Sequence, residues 1–133
     1  LLDADGHETG RERLALATAT SLDVDAAVAL VHRYDGLAVA AHIDRPSFGV
    51  IGQLGLFPSG AGFDAVEVSR HLPAGGEHEA EYAAYDLPVL HSSDAHFVGD
   101  VGAARTAVVC ERPSFDELRL AVLCLEGRRI GDA

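Results

Sequence analysis

Residues 89–100 read VLHSSDAHFVGD, and within six positions they hold His91, Asp94 and His96. Neutral imidazole and carboxylate are the usual non-thiolate ligands of zinc, manganese and iron(II). Asp94 and His96 are separated by one residue, and in an extended segment positions i and i+2 share a face, so both can reach one ion. A DxH pair alone is a weak signal, since chance produces it often. Its position after the apolar run LPVL strengthens it. His42 directly follows a second apolar run, LAVAA, and Glu67 lies within a third, FDAVEVS. Arg45 stands three residues after His42, ahead of Pro46, and the planar fork of arginine suits two oxygens of a phosphate.

Each of these residues has a plainer reading. His42 is then a hydrogen-bonded histidine at a strand end. Glu67 is a carboxylate paired with Arg70 or Arg45, and Arg45 is the ion-pair partner of Asp44 or Glu67. His91 donates a structural hydrogen bond. His7, His32, His71 and His78 stand in polar or helix-surface contexts and read as exposed. Ser92 and Ser93 have no neighbouring base that would make either a nucleophile.

The elements that must position these groups follow from periodicity and punctuation. LAVAA (37–41), FDAVEVS (63–69), LPVLHS (87–92) and TAVVC (106–110) read as strands. Runs apolar on both faces belong inside a parallel sheet. A helix is expected over 22–34, capped by Ser21 and ended by Gly36. Val24, Ala27, Val28 and Val31 would form its buried face. A second helix is expected over 115–126, with Ser114 and Glu117 as a capping box, Leu118, Ala121, Val122 and Leu125 inward, and Gly127 at its end. GGEHEAEYAAY suggests a short surface helix, and DADGHETG a polar turn after Leu1 and Leu2. Strand and helix alternate at βα-unit spacing, which implies a parallel α/β fold with its site at the carboxyl ends of the strands.

The 133 residues suffice for one domain, and 48% hydrophobic with 23% charged residues is ordinary globular composition. No apolar run is long enough to span a membrane. The formal net charge is -11 and all ten basic residues are arginine, a balance that disfavours nucleic-acid binding but permits a small phosphorylated substrate. Cys110 and Cys124 have apolar neighbours and read as buried thiols of a reducing cytoplasm. The chain contains no methionine, and is expected to be a piece of something longer.

The stretches AAHIDRPSFGVIGQLGLFP, FDAVEVSRH, LPVLHSSDAHFVGDVG and PSFDELRLAVLCLEGRRI together resemble the carboxyl-terminal half of a PHP (polymerase and histidinol phosphatase) domain protein, of the stand-alone bacterial phosphoesterase kind. The resemblance covers residues 1–130. It implies the carboxyl-terminal portion of a distorted seven-stranded (β/α) barrel, with up to three divalent metals, zinc, manganese or iron, at the strand ends. It implies hydrolysis of phosphate esters, with His42, Asp94 and His96 as metal ligands and Glu67 in the strand that lines the site. Position 91 is not a ligand position of the family, so His91 as a lining residue, like Arg45 as a phosphate-binding residue, is read from its own type and place. The family's amino-terminal HxH motif is absent from residues 1–133, so this chain is expected to supply part of the metal site and to be weakly active alone. Half a barrel exposes strand edges and an apolar face, which favours a homodimer. The competing reading is a non-catalytic binding module of the same fold.

Overall fold

The computed structural model describes residues 1–13, 19–72, 81–82 and 84–131. The chain begins with a turn in which Leu2 and Glu8 form an antiparallel bridge. The Asp3 carboxylate accepts hydrogen bonds from the backbone N–H groups of Asp5 and His7 at 3.0 and 2.9 Å. Most of the expected surface helix at 75–85 lies outside the described residues.

Helix α1 spans Val24–Arg33. Its cap is Asp23 rather than Ser21: the Asp23 side chain accepts from the N–H of Ala26 at 2.8 Å. Two carboxylates in this first turn, Asp23 and Asp25, complement the positive end of the helix. Of the expected apolar face only Val28 is buried, and Val31 reaches solvent. At the far end, His32 lies 2.8 Å from Asp64, whose carboxylate also accepts from the N–H of Ala38. This tether joins the helix to the start of the first strand, and gives His32 a structural role.

Three strands form a parallel sheet: β1 (Val39–Ala40), β2 (Ala65–Ser69) and β3 (Val89–Ser92), in that order. A five-residue helix, α2 (Val50–Leu54), follows β1, an element beyond the two main helices and the short surface helix expected from the sequence. Ala40, Ile43, Phe57, Val66, Val68 and Tyr82 form the buried core on one face of the sheet.

The register assigns faces. Val66 pairs with Val89 and Ala40, and Val68 with His91, so His91 belongs to the core face. Glu67 pairs with Leu90 and Ser69 with Ser92, on the opposite face. A single sequence cannot fix this difference, because one step of register exchanges the faces.

The fourth expected strand forms, but not in the parallel sheet. β4 (Val108–Val109) pairs antiparallel with β5 (Arg129–Ile130). Between them lies α3 (Phe115–Val122). Ser114 caps α3 as the sequence suggested, accepting from the N–H of Glu117 at 3.3 Å. The Glu117 carboxylate does not complete the reciprocal box. It takes the N–H of Glu111 at 2.9 Å and two nitrogens of Arg128 at 3.0 and 3.1 Å. The helix stops at Val122 rather than 126, because Cys124, Glu126 and Gly127 all have positive φ. Ala121 and Val122 are buried, whereas Leu118 and Leu125 are exposed. Cys110 and Cys124 are both free and exposed, against the expectation of buried thiols. Cys124 sits in the turn beyond the shortened helix, and Cys110 directly follows the two-residue β4. The described residues comprise a mixed α/β arrangement with a three-stranded parallel sheet, without a closed barrel.

Candidate functional site at the strand ends

The carboxyl end of β1 runs into a tight turn over residues 41–44. His42 there has φ 29°, an unusual value for a side chain with a Cβ. Two glycines let α2 lie on this turn. A Cβ on Gly49 would meet the His42 carbonyl oxygen at 2.9 Å, and one on Gly52 the Pro46 carbonyl oxygen at 2.4 Å. The spacing of glycines in SFGVIGQLG thus packs the helix against the backbone carrying His42 and Arg45. The N–H of Ile43 donates to the Glu67 carbonyl at 2.9 Å, so the turn stays attached to β2.

Side chains then link the three strand ends. Asp44 accepts from Ser69 twice, from its N–H at 2.7 Å and its hydroxyl at 2.5 Å. Ser69 is 2% exposed, so both donors depend on this carboxylate rather than on water. Arg45 does not pair with Asp44 or Glu67. Its Nη1 donates to Asp94 Oδ2 at 2.8 Å, joining the β1 turn to the loop after β3. Arg70, next after Ser69, places Nη1 2.7 Å from Oδ1 of Asp100 in the same loop. The Arg70 guanidinium holds the Asp100 carboxyl below the usual carboxylate range.

These links enclose a cavity of about 200 Å³ lined by Arg45, Ser69, Arg70, His71, Ser93, Asp94 and His96. Its lining is polar throughout, with two arginines in a chain whose formal charge is -11. Asp94 has φ 45°, so a second strand-end turn carries a strained non-glycine residue. His96 Nδ1 lies 2.8 Å from the Asp94 backbone carbonyl oxygen. A carbonyl oxygen only accepts, so Nδ1 is the donor here, and in a neutral ring the lone pair then lies on Nε2. Metal-bound histidines are commonly oriented this way.

Asp94, His96 and Arg45 therefore share one cavity. His42 lies at the same end of the sheet, in the turn bearing Arg45, but is not part of the cavity's lining. Its Nδ1 is buried without a hydrogen-bond partner. Among the described residues, His42, Asp94 and His96 do not form a group with ligand atoms all within 4.8 Å of one another. The group that meets this spacing is Asp3, Asp5 and His7, which is exposed. Its Asp3 carboxylate is already committed to closing the turn.

Glu67 is half-buried on the same sheet face as Ser69 and is not part of the cavity's lining. His91 is on the other face, and Thr106 holds its backbone: the N–H donates to Thr106 Oγ1 at 2.7 Å, and that hydroxyl donates back to the His91 carbonyl at 2.8 Å. Reasoning from sequence missed Ser69, Arg70, His71 and Ser93 as cavity residues. The available signal was position: Ser69, Arg70 and His71 end or follow β2, as His42 follows β1.

Residues 78–125 match the family model described as PHP-associated. The match covers β3, the Asp94–His96 loop, β4 and α3. The match spans 48 of the 133 residues and supports a link to PHP-domain proteins through their carboxyl-terminal associated region. No curated protein and no solved structure matches the chain.

Proposed function

We propose that the protein is a metal-dependent phosphoesterase of the PHP kind, and that this chain contributes the carboxyl-terminal part of its metal site within a (β/α) barrel. The observation that carries the reading is the shared lining of one polar strand-end cavity by Asp94, His96 and Arg45, with His96 Nδ1 turned to the Asp94 backbone carbonyl at 2.8 Å. The donor set fits a divalent ion of the zinc, manganese or iron(II) type. A buried, unpartnered His42 Nδ1 also fits, because a polar atom withdrawn from water is otherwise costly.

His42, Asp94 and His96 would hold the metal. When bound, divalent metal supplies a water acidic enough to act as hydroxide at neutral pH and neutralises phosphoryl oxygens. The chain's own groups orient the ester. The Arg45 guanidinium, anchored by one nitrogen on Asp94, has further N–H donors for phosphoryl oxygens. Ser93 adds a hydroxyl to the same lining. The substrate class is a small phosphate monoester, and the acidic surface disfavours long nucleic acids.

One observation favours the alternative of a non-catalytic binding module: the Asp94 carboxylate is engaged by Arg45. Phosphate release from a generic monoester by the complete protein of which this chain is proposed to be the carboxyl-terminal part, with manganese or zinc added, separates the two. The enzyme reading expects metal-dependent turnover that falls at least a hundredfold in Asp94→Ala. Turnover unchanged by that substitution at saturating metal would contradict it. Among the described residues no helix is long and apolar enough to cross a membrane. A cytoplasmic location accords with the two free thiols.

A further inference from the structure

We infer that Arg70 is a second anion-binding arginine of the strand-end cavity, so that a phosphoryl group, or another tetrahedral dianion, is held between Arg45 and Arg70. The inference deepens the phosphoesterase reading and rests on it for the identity of the anion.

The two arginines arrive by parallel routes. Arg45 follows β1 and Arg70 follows β2, and these strands are neighbours in the sheet. Both line the same cavity. Each is steadied at Nη1 by an aspartate of the loop after β3, Arg45 by Asp94 at 2.8 Å and Arg70 by Asp100 at 2.7 Å. A guanidinium has five N–H donors on three nitrogens, so a contact at one terminal nitrogen fixes direction and leaves donors for a ligand. The backbone beneath Arg70 is also fixed, because its neighbour Ser69 is locked to Asp44 through two hydrogen bonds. Two half-exposed guanidiniums facing one small polar cavity repel each other, and an anion between them removes that cost. Each guanidinium is matched by one carboxylate, so the anion is held by the N–H donors that both arginines keep free rather than by an excess of positive charge.

Inorganic phosphate is the probe, titrated calorimetrically into the metal-free chain at low ionic strength. The wild type is expected to bind saturably. Arg70→Ala is expected to weaken binding about tenfold, as loss of a charge-assisted contact at a partly exposed site should. Arg70→Lys keeps the charge but loses the fork, and is expected to recover only part of that loss. Arg70→Ala leaves Asp100 unpaired. If the variant unfolds, the double variant Arg70→Ala/Asp100→Asn removes the leftover charge and must show the same weakened binding. Wild-type affinity in a folded Arg70→Ala or in the double variant would overturn the inference. Arg70 and the phosphoesterase reading can fail separately. Phosphate binding that depends on Arg70, without metal-dependent ester hydrolysis, would leave the anion site standing and sink the enzyme. Hydrolysis with an unchanged KM in Arg70→Ala would do the reverse.

Discussion

Asp44→Ala should destabilise the protein and loosen its site together. The carboxylate accepts two hydrogen bonds from Ser69, whose N–H and hydroxyl are almost completely withdrawn from water. A hydrogen bond to a charged group contributes about 1.5–3 kcal/mol, and a buried donor left unpaired costs about 1–3 kcal/mol. Asp44 is itself half-exposed, so the lower end of both ranges applies. Two such bonds give a loss of about 3 kcal/mol. For a chain of 133 residues the unfolding entropy is about 0.28 kcal/mol/K, so Tm should fall by about 10 °C. Asp44→Asn should cost about 1 kcal/mol, because an amide oxygen still accepts the Ser69 N–H and its NH2 donates to the hydroxyl. The site is coupled to this pair, since Arg45 is the next residue and Ser69 precedes Arg70. Phosphate affinity should therefore fall in Asp44→Ala and largely return in Asp44→Asn. Thermal unfolding followed by circular dichroism, with phosphate titration on the same samples, measures both. If Asp44→Ala melts within about 2 °C of the wild type, the two bonds carry far less than the typical hydrogen-bond range and the reasoning fails.

Other consequences can be checked directly. The Arg128 guanidinium, then the Glu111 N–H, holds the Glu117 carboxyl below its ordinary range. A depressed carboxylate contributes stability above its unfolded pKa and loses it as pH falls through the folded value. Glu117→Gln should therefore be less stable than wild type at pH 7, with the gap closing below about pH 4, in urea unfolding at each pH; a gap that widens in acid would contradict the pairing. Cys110 and Cys124 are exposed, so two thiols per chain should react rapidly with Ellman's reagent in the native state, and fewer than two would place a thiol in the interior. Large apolar side chains stand in solvent among the described residues, and such groups favour association. With Phe48, Phe97 and Val98 all exposed, light scattering should show self-association, and a monomer persisting at millimolar concentration would oppose it.

What the sequence revealed was local. Apolar runs ending in His42, or preceding Asp94, marked strand ends, and Ser114 marked a helix start. Three parallel strands followed from runs apolar on both faces. Less legible was everything that depends on which residue lies opposite which. Arg45 reaches Asp94 across 49 positions of chain, where nearby Asp44 and Glu67 looked equally suitable. Glu67 and His91 looked alike as site-lining residues, and the register of β2 and β3 puts them on opposite faces. β4 had the composition of a parallel strand, but the return of the chain after α3 brings Arg129 and Ile130 beside it in the antiparallel sense. Arg70 stood within FDAVEVSRH but read only as a partner for Glu67, whereas the fold pairs it with Asp100 and sets it in the cavity.

The central claim is that Asp94 and His96 are metal ligands, and metal content tests it without reference to turnover. Wild-type protein equilibrated with manganese or zinc and then desalted should retain metal on elemental analysis. The Asp94→Ala/His96→Ala variant, folded by circular dichroism, should retain at least one ion fewer per chain. Equal metal in the two proteins, or none in the wild type, would contradict the account.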